Sequence, residues 1–373
     1  KSVFNKGQTI IKNSSKTDIF IGLFLLYTIG MIIYLSIQVN KENTNNKNVS
    51  KEYRNLNKKL NTTFAVSPIN TNDARFQHRL CDYYIATSYN SCCNGNFKGD
   101  YVSLDALKNV LKHGARCLDF EIYMIDGKPQ VAASGTESNF YKETYNSILF
   151  EDVCQTINRY AFSASTAPSS TDPLIIHLRI RTSLSAVYGK LTETLSTNFK
   201  DKLLDPEYGY ESRGENMTFE PLKNFLGKII IIVDDPSKKY LKSPLDEFVN
   251  LSTNSAFFRS LTQPQITNTF DSNELIEFNK KNMSIVIPGL SDNPNNIPYS
   301  LAQSYGCQFV AMSYQNLDSN MKLYLEEFSR FSFVLKPIKL RYQDIPINIP
   351  PHPDKNLSYG PRISQKDYYK FKI

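Results

Sequence analysis

An α/β barrel of the (β/α)8 type, entered from an N-terminal transmembrane helix, is the fold class this sequence predicts. Three observations carry it. From about Phe76 onward, short β-rich apolar runs alternate with helical patterns, which argues for a parallel sheet with crossovers. Eight such runs fall within roughly 265 residues, the size of a TIM-type barrel. Ahead of them, the stretch from Ile19 to Ile37 holds no charged residue.

The elements follow in order. Residues 1–18 form a short polar lead. The run at 19–38 is dominated by Ile, Leu, Phe, Tyr, Met and Gly. As a helix it spans roughly the 30 Å hydrocarbon core of a bilayer, and a helix satisfies its own backbone groups in lipid. The run is too long for most signal-peptide cores, and no small-residue cleavage pattern follows it. Lysines flank both ends (Lys12 and Lys16 before; Lys41, Lys47 and Lys51 after), so charge assigns no orientation. Residues 39–75, rich in Asn, Lys and Thr, read as a polar tether. The barrel occupies 76–340. Its strands are predicted near 83–89, 117–125, 173–180, 228–234, 246–252, 283–288, 307–314 and 332–336, and its helices near 103–113, 148–162, 184–199, 271–281, 297–304 and 319–330. Residues 341–373 form an extended Pro-rich C-terminal tail, because the prolines between Ile345 and Pro353 fix φ and remove donors. An aromatic and basic end, Tyr368 to Ile373, closes the chain as given.

Composition bounds the function. The charged and aromatic fractions, 21% and 12%, are those of a folded chain. The net charge of +7 is spread out. No basic stripe with interleaved aromatics is present, so no nucleic-acid partner is expected. Cys117 and Cys307 fall in apolar strands. Cys81, Cys92 and Cys93 lie close enough in sequence to form a disulfide in an oxidising compartment or to stay free thiols. Asn-x-Ser/Thr sequons arise by chance in so Asn-rich a chain and assign no compartment.

The chemistry-bearing residues concentrate between Tyr83 and Thr136. A strand ends in Tyr89-Asn90-Ser91. An amphipathic helix follows at 103–113. A second strand carries Asp119 and Glu121, and the loop after it passes through Ala133. This order resembles the X box of phosphatidylinositol-specific phospholipase C. In that family the first strand ends in His-Asn, the second carries Glu-x-Asp, and a second His follows. Tyr89 and Ala133 stand where the two histidines would be. The strand around His177-Leu-Arg179 resembles the third, with Arg179 in place of a metal-binding Glu. Ile232 and Asp234 replace phosphate-binding lysines on the fourth. The segment Met283 to Gly289 resembles a Y-box strand whose substrate-contacting Arg and Tyr would be Ile285 and Ile287. Gly306 to Gln315 and Phe333 to Pro337 continue the pattern.

The resemblance implies a barrel with its catalysts removed. Histidine suits general acid–base work near neutrality. A phenol with a reference pKa of about 10 does not, and alanine has nothing to titrate. His78 precedes the first strand, His113 ends a helix and His352 lies in the tail, which leaves His177 as the candidate substitute. Calcium, the metal of the family's eukaryotic members, needs six to eight oxygens. Asn90, Asp119 and Glu121 supply three donors. Arg179 shares a strand face with His177, and its guanidinium is expected to pair with Asp119 or Glu121 and block the metal. The first reading is a membrane-anchored pseudoenzyme: a scaffold or structural subunit without cofactor, held by 19–38 and associated with other protein subunits. The composition is of the kind found in AT-rich genomes, and a virion of a large DNA virus with an internal membrane is one concrete setting. The alternatives are a divergent phosphodiesterase that uses calcium, and a lipid-headgroup-binding module.

Overall fold

The structure is a computed structural model and describes residues 16–59, 66–136, 140–209, 215–253, 255–344 and 363–372. It divides into a large unit up to Arg341 and a small one from Tyr342.

In the large unit the sheet begins with β1 (Tyr83–Ser88) and β2 (Cys117–Ile125). β2 folds back through Asp126 and Gly127, both at positive φ, into β3 (Lys128–Ala132). An Asp-Gly pair in this conformation is the preferred two-residue hairpin loop. β3 in turn pairs with β4 (Ile148–Leu149), and both lie off the barrel path. The barrel continues with β5 (Leu174–Ile180), β6 (Ile229–Asp234), β7 (Leu251–Ser252), β8 (Phe258–Thr262), β9 (Met283–Ile287) and β10 (Phe309–Met312). The hydrogen-bonded order is β7-β6-β5-β2-β1-β10-β9-β8, all parallel. Chain order therefore runs around the barrel, and β10 meets β1. Among the described residues no ladder joins β7 to β8, so the eight-stranded barrel is nearly closed.

Two sequence-predicted strands differ. The expected 246–252 strand is reduced to the two residues of β7. A 3-10 turn, Pro244–Phe248, takes the rest, with Ser243 capping it through Leu245 N. The expected 332–336 strand is β11 (Phe333–Leu335), which pairs antiparallel with β1 and is no barrel stave. The missing stave is β8, whose residues after Phe258 are only half-buried.

The helices are α1 (Lys16–Lys59), α2 (Leu104–Lys112), α3 (Phe150–Tyr160), α4 (Ala186–Phe199), α5 (Gln263–Thr267), α6 (Ser272–Lys281), α7 (Tyr299–Ser304) and α8 (Ser319–Glu327). α2 shows how the local sequence sets a helix. Ser103 caps it by accepting from Asp105 N, and Ala106, Leu107, Val110 and Leu111 form its buried face. Side chains on the strands alternate between two cores. Ile85, Cys117, Ile175, Ile230, Ile285 and Phe309 fill the barrel. Leu118, Phe120, Ile176, Leu178, Ile231 and Val233 face the helices.

α1 corrects the tether. It runs unbroken through Lys59. Its first half is long and apolar enough to cross a membrane, and its large apolar residues from Ile19 to Val39 are exposed. Its second half packs on the barrel. Tyr53 and Leu56 are buried, the Tyr53 hydroxyl donates to Tyr314 O at 2.9 Å, and its ring stacks on His113 with centroids 3.8 Å apart. A polar composition had suggested a loose segment, but the asparagines bond to the barrel: Asn45 to Asp100 and Asn46 to Ser103.

The small unit is a hairpin of β12 (Ile363–Lys366) and β13 (Tyr369–Lys372). The Pro-rich stretch at 345–353 lies outside the described residues. All six cysteines are buried free thiols, including Cys81, Cys92 and Cys93.

Candidate active site

Parallel register brings the chemistry-bearing residues together. Asp119 on β2 lies beside His177 on β5, and Glu121 lies beside Arg179. Arg179 lies beside Asp234 on β6, and His177 beside Ile232. Asn90 follows β1 with φ 42°, a left-handed conformation that Asn adopts more readily than most residues. Its backbone N–H donates to Asp119 Oδ2 at 2.9 Å.

Arg179 is the centre. Nε donates to Asp119 Oδ1 at 2.9 Å and Nη2 to Asp119 Oδ2 at 2.6 Å, a bidentate pair. Nη1 donates to Glu121 Oε1 at 2.7 Å and to Tyr89 Oη at 3.4 Å. Nη2 also donates to Asn90 Oδ1 at 2.9 Å. A guanidinium has five N–H donors, so every one has an acceptor. The guanidinium carbon also lies 4.6 Å from the centroid of the Tyr89 ring, within cation–π range. The pairing expected with one of the two acids is made with both.

The acceptors are filled from their other sides. Asp119 Oδ1 also faces His177 Nδ1 at 2.8 Å, and the Asp119 N–H is tied to Ser91 Oγ at 3.0 Å. Glu121 Oε2 accepts from Tyr123 Oη at 2.6 Å and from Ser134 N at 3.1 Å. Burial alone would raise the Asp119 carboxyl, but Arg179 and His177 outweigh it and hold it well below the usual carboxylate range. Burial pushes the Tyr89 phenol up to about 12, against the pull of Arg179. Tyr89 therefore stays protonated at any physiological pH and is no base.

None of this faces solvent. Asp119 and His177 are 0% exposed, Arg179 1%, Glu121 and Asn90 3%, and Tyr89 5%. Phe97 covers Tyr89 edge-on at 5.3 Å, and Phe97 N donates to Asp292 O. Gly135 presses on the same segment, for a Cβ there would lie 2.9 Å from Ser291 O and from Asp292 Cα. Loops after β1, β3 and β9 thus meet over the cluster. His177 Nε2 has no hydrogen-bond partner.

The remaining sequence-predicted positions fall elsewhere. Ile232 and Ile285 are buried in the barrel core, and Ile287 is half-buried. Asp234 is half-buried and accepts from Thr253 Oγ1 at 2.7 Å. Ala133 is buried, and its carbonyl accepts from Glu143 N and Thr144 N. Sequence reading singled out Ser91 without giving it a role, and missed Phe97, Tyr123 and Ser134. Tyr123 had a signal, since it shares the inward face of β2 with Asp119 and Glu121. Phe97 had none.

The fold is a nearly closed (β/α)8-type barrel, and comparison with known proteins relates it to the phospholipases C. Residues 76–234 match the family phosphatidylinositol-specific phospholipase C, X domain. The human 1-phosphatidylinositol 4,5-bisphosphate phosphodiesterase eta-1 is 29% identical over 153 residues, which are 41% of this chain and 8% of that protein. The delta-4 phosphodiesterase of that name from Xenopus laevis is 23% identical over 342 residues, 76% of this chain and 43% of its own. The crystal structure of S. officinalis PLC21 superposes with a TM-score of 0.59 at 20% identity, covering 72% of this chain and 38% of that one. The chain thus spans less than half the length of each of these relatives. Over residues 76–234 the chain is similar to the phosphatidylinositol-specific phospholipase C X domain, at low identity to the relatives that carry it.

Proposed function

We propose that this chain is a membrane-anchored phospholipase-C-like pseudoenzyme, a barrel that keeps the fold and serves as a scaffold or structural subunit of a membrane-associated assembly. One observation carries the reading: the guanidinium of Arg179, buried with all five donors engaged, fills the space between the oxygens of Asn90, Asp119 and Glu121. A calcium ion there would need those same oxygens and would sit against a fixed cation. The residues do not fit the metal. The positions that would hold a phosphorylated headgroup bring isoleucines and Asp234, which disfavour an anion. A fold can persist without its chemistry. The apolar half of α1 supports anchoring. The AT-rich type of composition makes a large-virus virion with an internal membrane the setting to examine first.

A second reading has one observation in its favour. His177 pairs with Asp119 through Nδ1 and leaves Nε2 unpartnered, the orienter–base arrangement of many catalytic sites. It would serve a divergent phosphodiesterase once the loops opened.

The test uses the full chain in detergent micelles, assayed on phosphatidylinositol, its 4,5-bisphosphate and a chromogenic phosphodiester, with calcium or chelator. The expected result is no turnover under any condition and no shift of the melting temperature with calcium. Calcium-dependent turnover abolished by His177→Ala, in a variant that still melts cooperatively, would overturn the pseudoenzyme reading.

A further inference from the structure

α1 is a single helix, and the place where it first touches the barrel sets the height of the barrel above the membrane. The 19 residues from Ile19 to Ile37 extend about 28 Å, close to the thickness of a bilayer core. Contact begins where that run ends. The Tyr101 hydroxyl donates to Gln38 O at 3.0 Å. One turn further on, Lys41 Nζ donates to Gly99 O at 3.0 Å and pairs with Asp100 at 3.2 Å. Gly95 and Asp100 form the notch: a Cβ on Gly95 would lie 2.6 Å from Asp100 Cγ and 2.8 Å from Asn45 Nδ2. The helix is therefore gripped from the first residue after its apolar run onward, and no slack separates the run from the barrel.

The barrel surface around that first contact is aromatic. The Tyr101 and Tyr145 rings lie 5.3 Å apart. Phe140 is 54% exposed and Tyr141 76%. Lys98, paired with Glu143, and Lys142 flank them. Tyrosines are enriched where lipid meets water, with the ring in the apolar layer and the hydroxyl among the headgroups, and lysines reach outward from the same depth.

We propose that Tyr34, Tyr101, Phe140, Tyr141 and Tyr145 form a collar lying in the headgroup layer of the membrane that α1 spans, so that the barrel rests on the lipid surface with a fixed face toward it. The occupant of this surface is the bilayer, because the helix that enters the bilayer is continuous with the collar. The inference rests on the anchoring reading above, and its test separates the two.

The chain contains no tryptophan, so a single introduced indole reports without background. Tyr141→Trp and Tyr145→Trp are made in the full chain, with Ile338→Trp as the control; Ile338 is 64% exposed and follows β11 at the opposite end of β1. Each is reconstituted into phosphatidylcholine vesicles, plain or brominated high on the acyl chain. The expected result is flotation of all three with the vesicles, together with blue-shifted emission that brominated lipid quenches at positions 141 and 145 but not at 338. Flotation with both collar tryptophans as exposed and unquenched as the control overturns the collar and leaves the anchor standing. Failure to float overturns both.

Discussion

Arg179 holds its neighbours as much as they hold it. Replacing it with methionine removes the cation that bridges two buried carboxylates, Asp119 and Glu121. Breaking one side of a buried ion pair costs about 3–5 kcal/mol, and we expect a melting temperature lowered to match. Arg179→Lys should not recover this, because an ammonium cannot reproduce the planar fork that meets Asp119 twice and Glu121 and Asn90 once each. Thermal denaturation of the three proteins followed by circular dichroism checks both statements. The charged members of this cluster and His177 were legible in the sequence, since strand alternation alone sets Asp119 with Glu121 and His177 with Arg179 on shared faces. The completeness of the grip was not. It depends on the register between β2 and β5, and on the left-handed turn at Asn90 that points Oδ1 inward. A single strand's residues do not encode either.

At the scale of elements, the docked half of α1 carries a pH dependence. Burial pushes the His113 imidazole down to about 4 from a reference near 6.5, while its Nδ1–H donates to Asn109 O and its ring stacks on Tyr53. A base with a depressed folded pKa favours the folded state fully above its unfolded pKa. That contribution erodes as pH falls from about 6.5 toward 4. His113→Phe keeps a ring for Tyr53 and removes the titration. The difference in melting temperature between wild type and variant should therefore move against the wild type between pH 7 and pH 4.5, with the carboxylates common to both cancelling. Most staves were legible from their apolar runs. β8 was not, because Arg259, Ser260, Leu261 and Thr262 are half-exposed beside the unjoined seam and lack the run that marks a buried strand. β11 carries such a run and was assigned to the barrel in its place. The helicity of 40–59 escaped composition because its asparagines are satisfied by barrel groups that no local reading can supply.

For the whole molecule, these contacts make α1 part of the barrel's architecture. Removing residues 1–59 would strip Tyr53 and Leu56 from the core and expose the side chains they cover. We expect such a truncation to melt at lower temperature than the full chain in the same detergent; an unchanged melt would mean that the helix contributes nothing beyond attachment. The filled mouth has a consequence for the history of the chain. On the pseudoenzyme reading proposed above, acquiring the chemistry that the resemblance implies would require a histidine at Tyr89, another at Ala133 and a carboxylate at Arg179. Changing Arg179 first strands two acids in a sealed interior, and changing Tyr89 or Ala133 first inserts an imidazole where no water or substrate reaches. Each single step is penalised before any benefit arrives, so on that reading the internal cation acts as a ratchet: the stability it supplies stands in the way of a return to the family's chemistry.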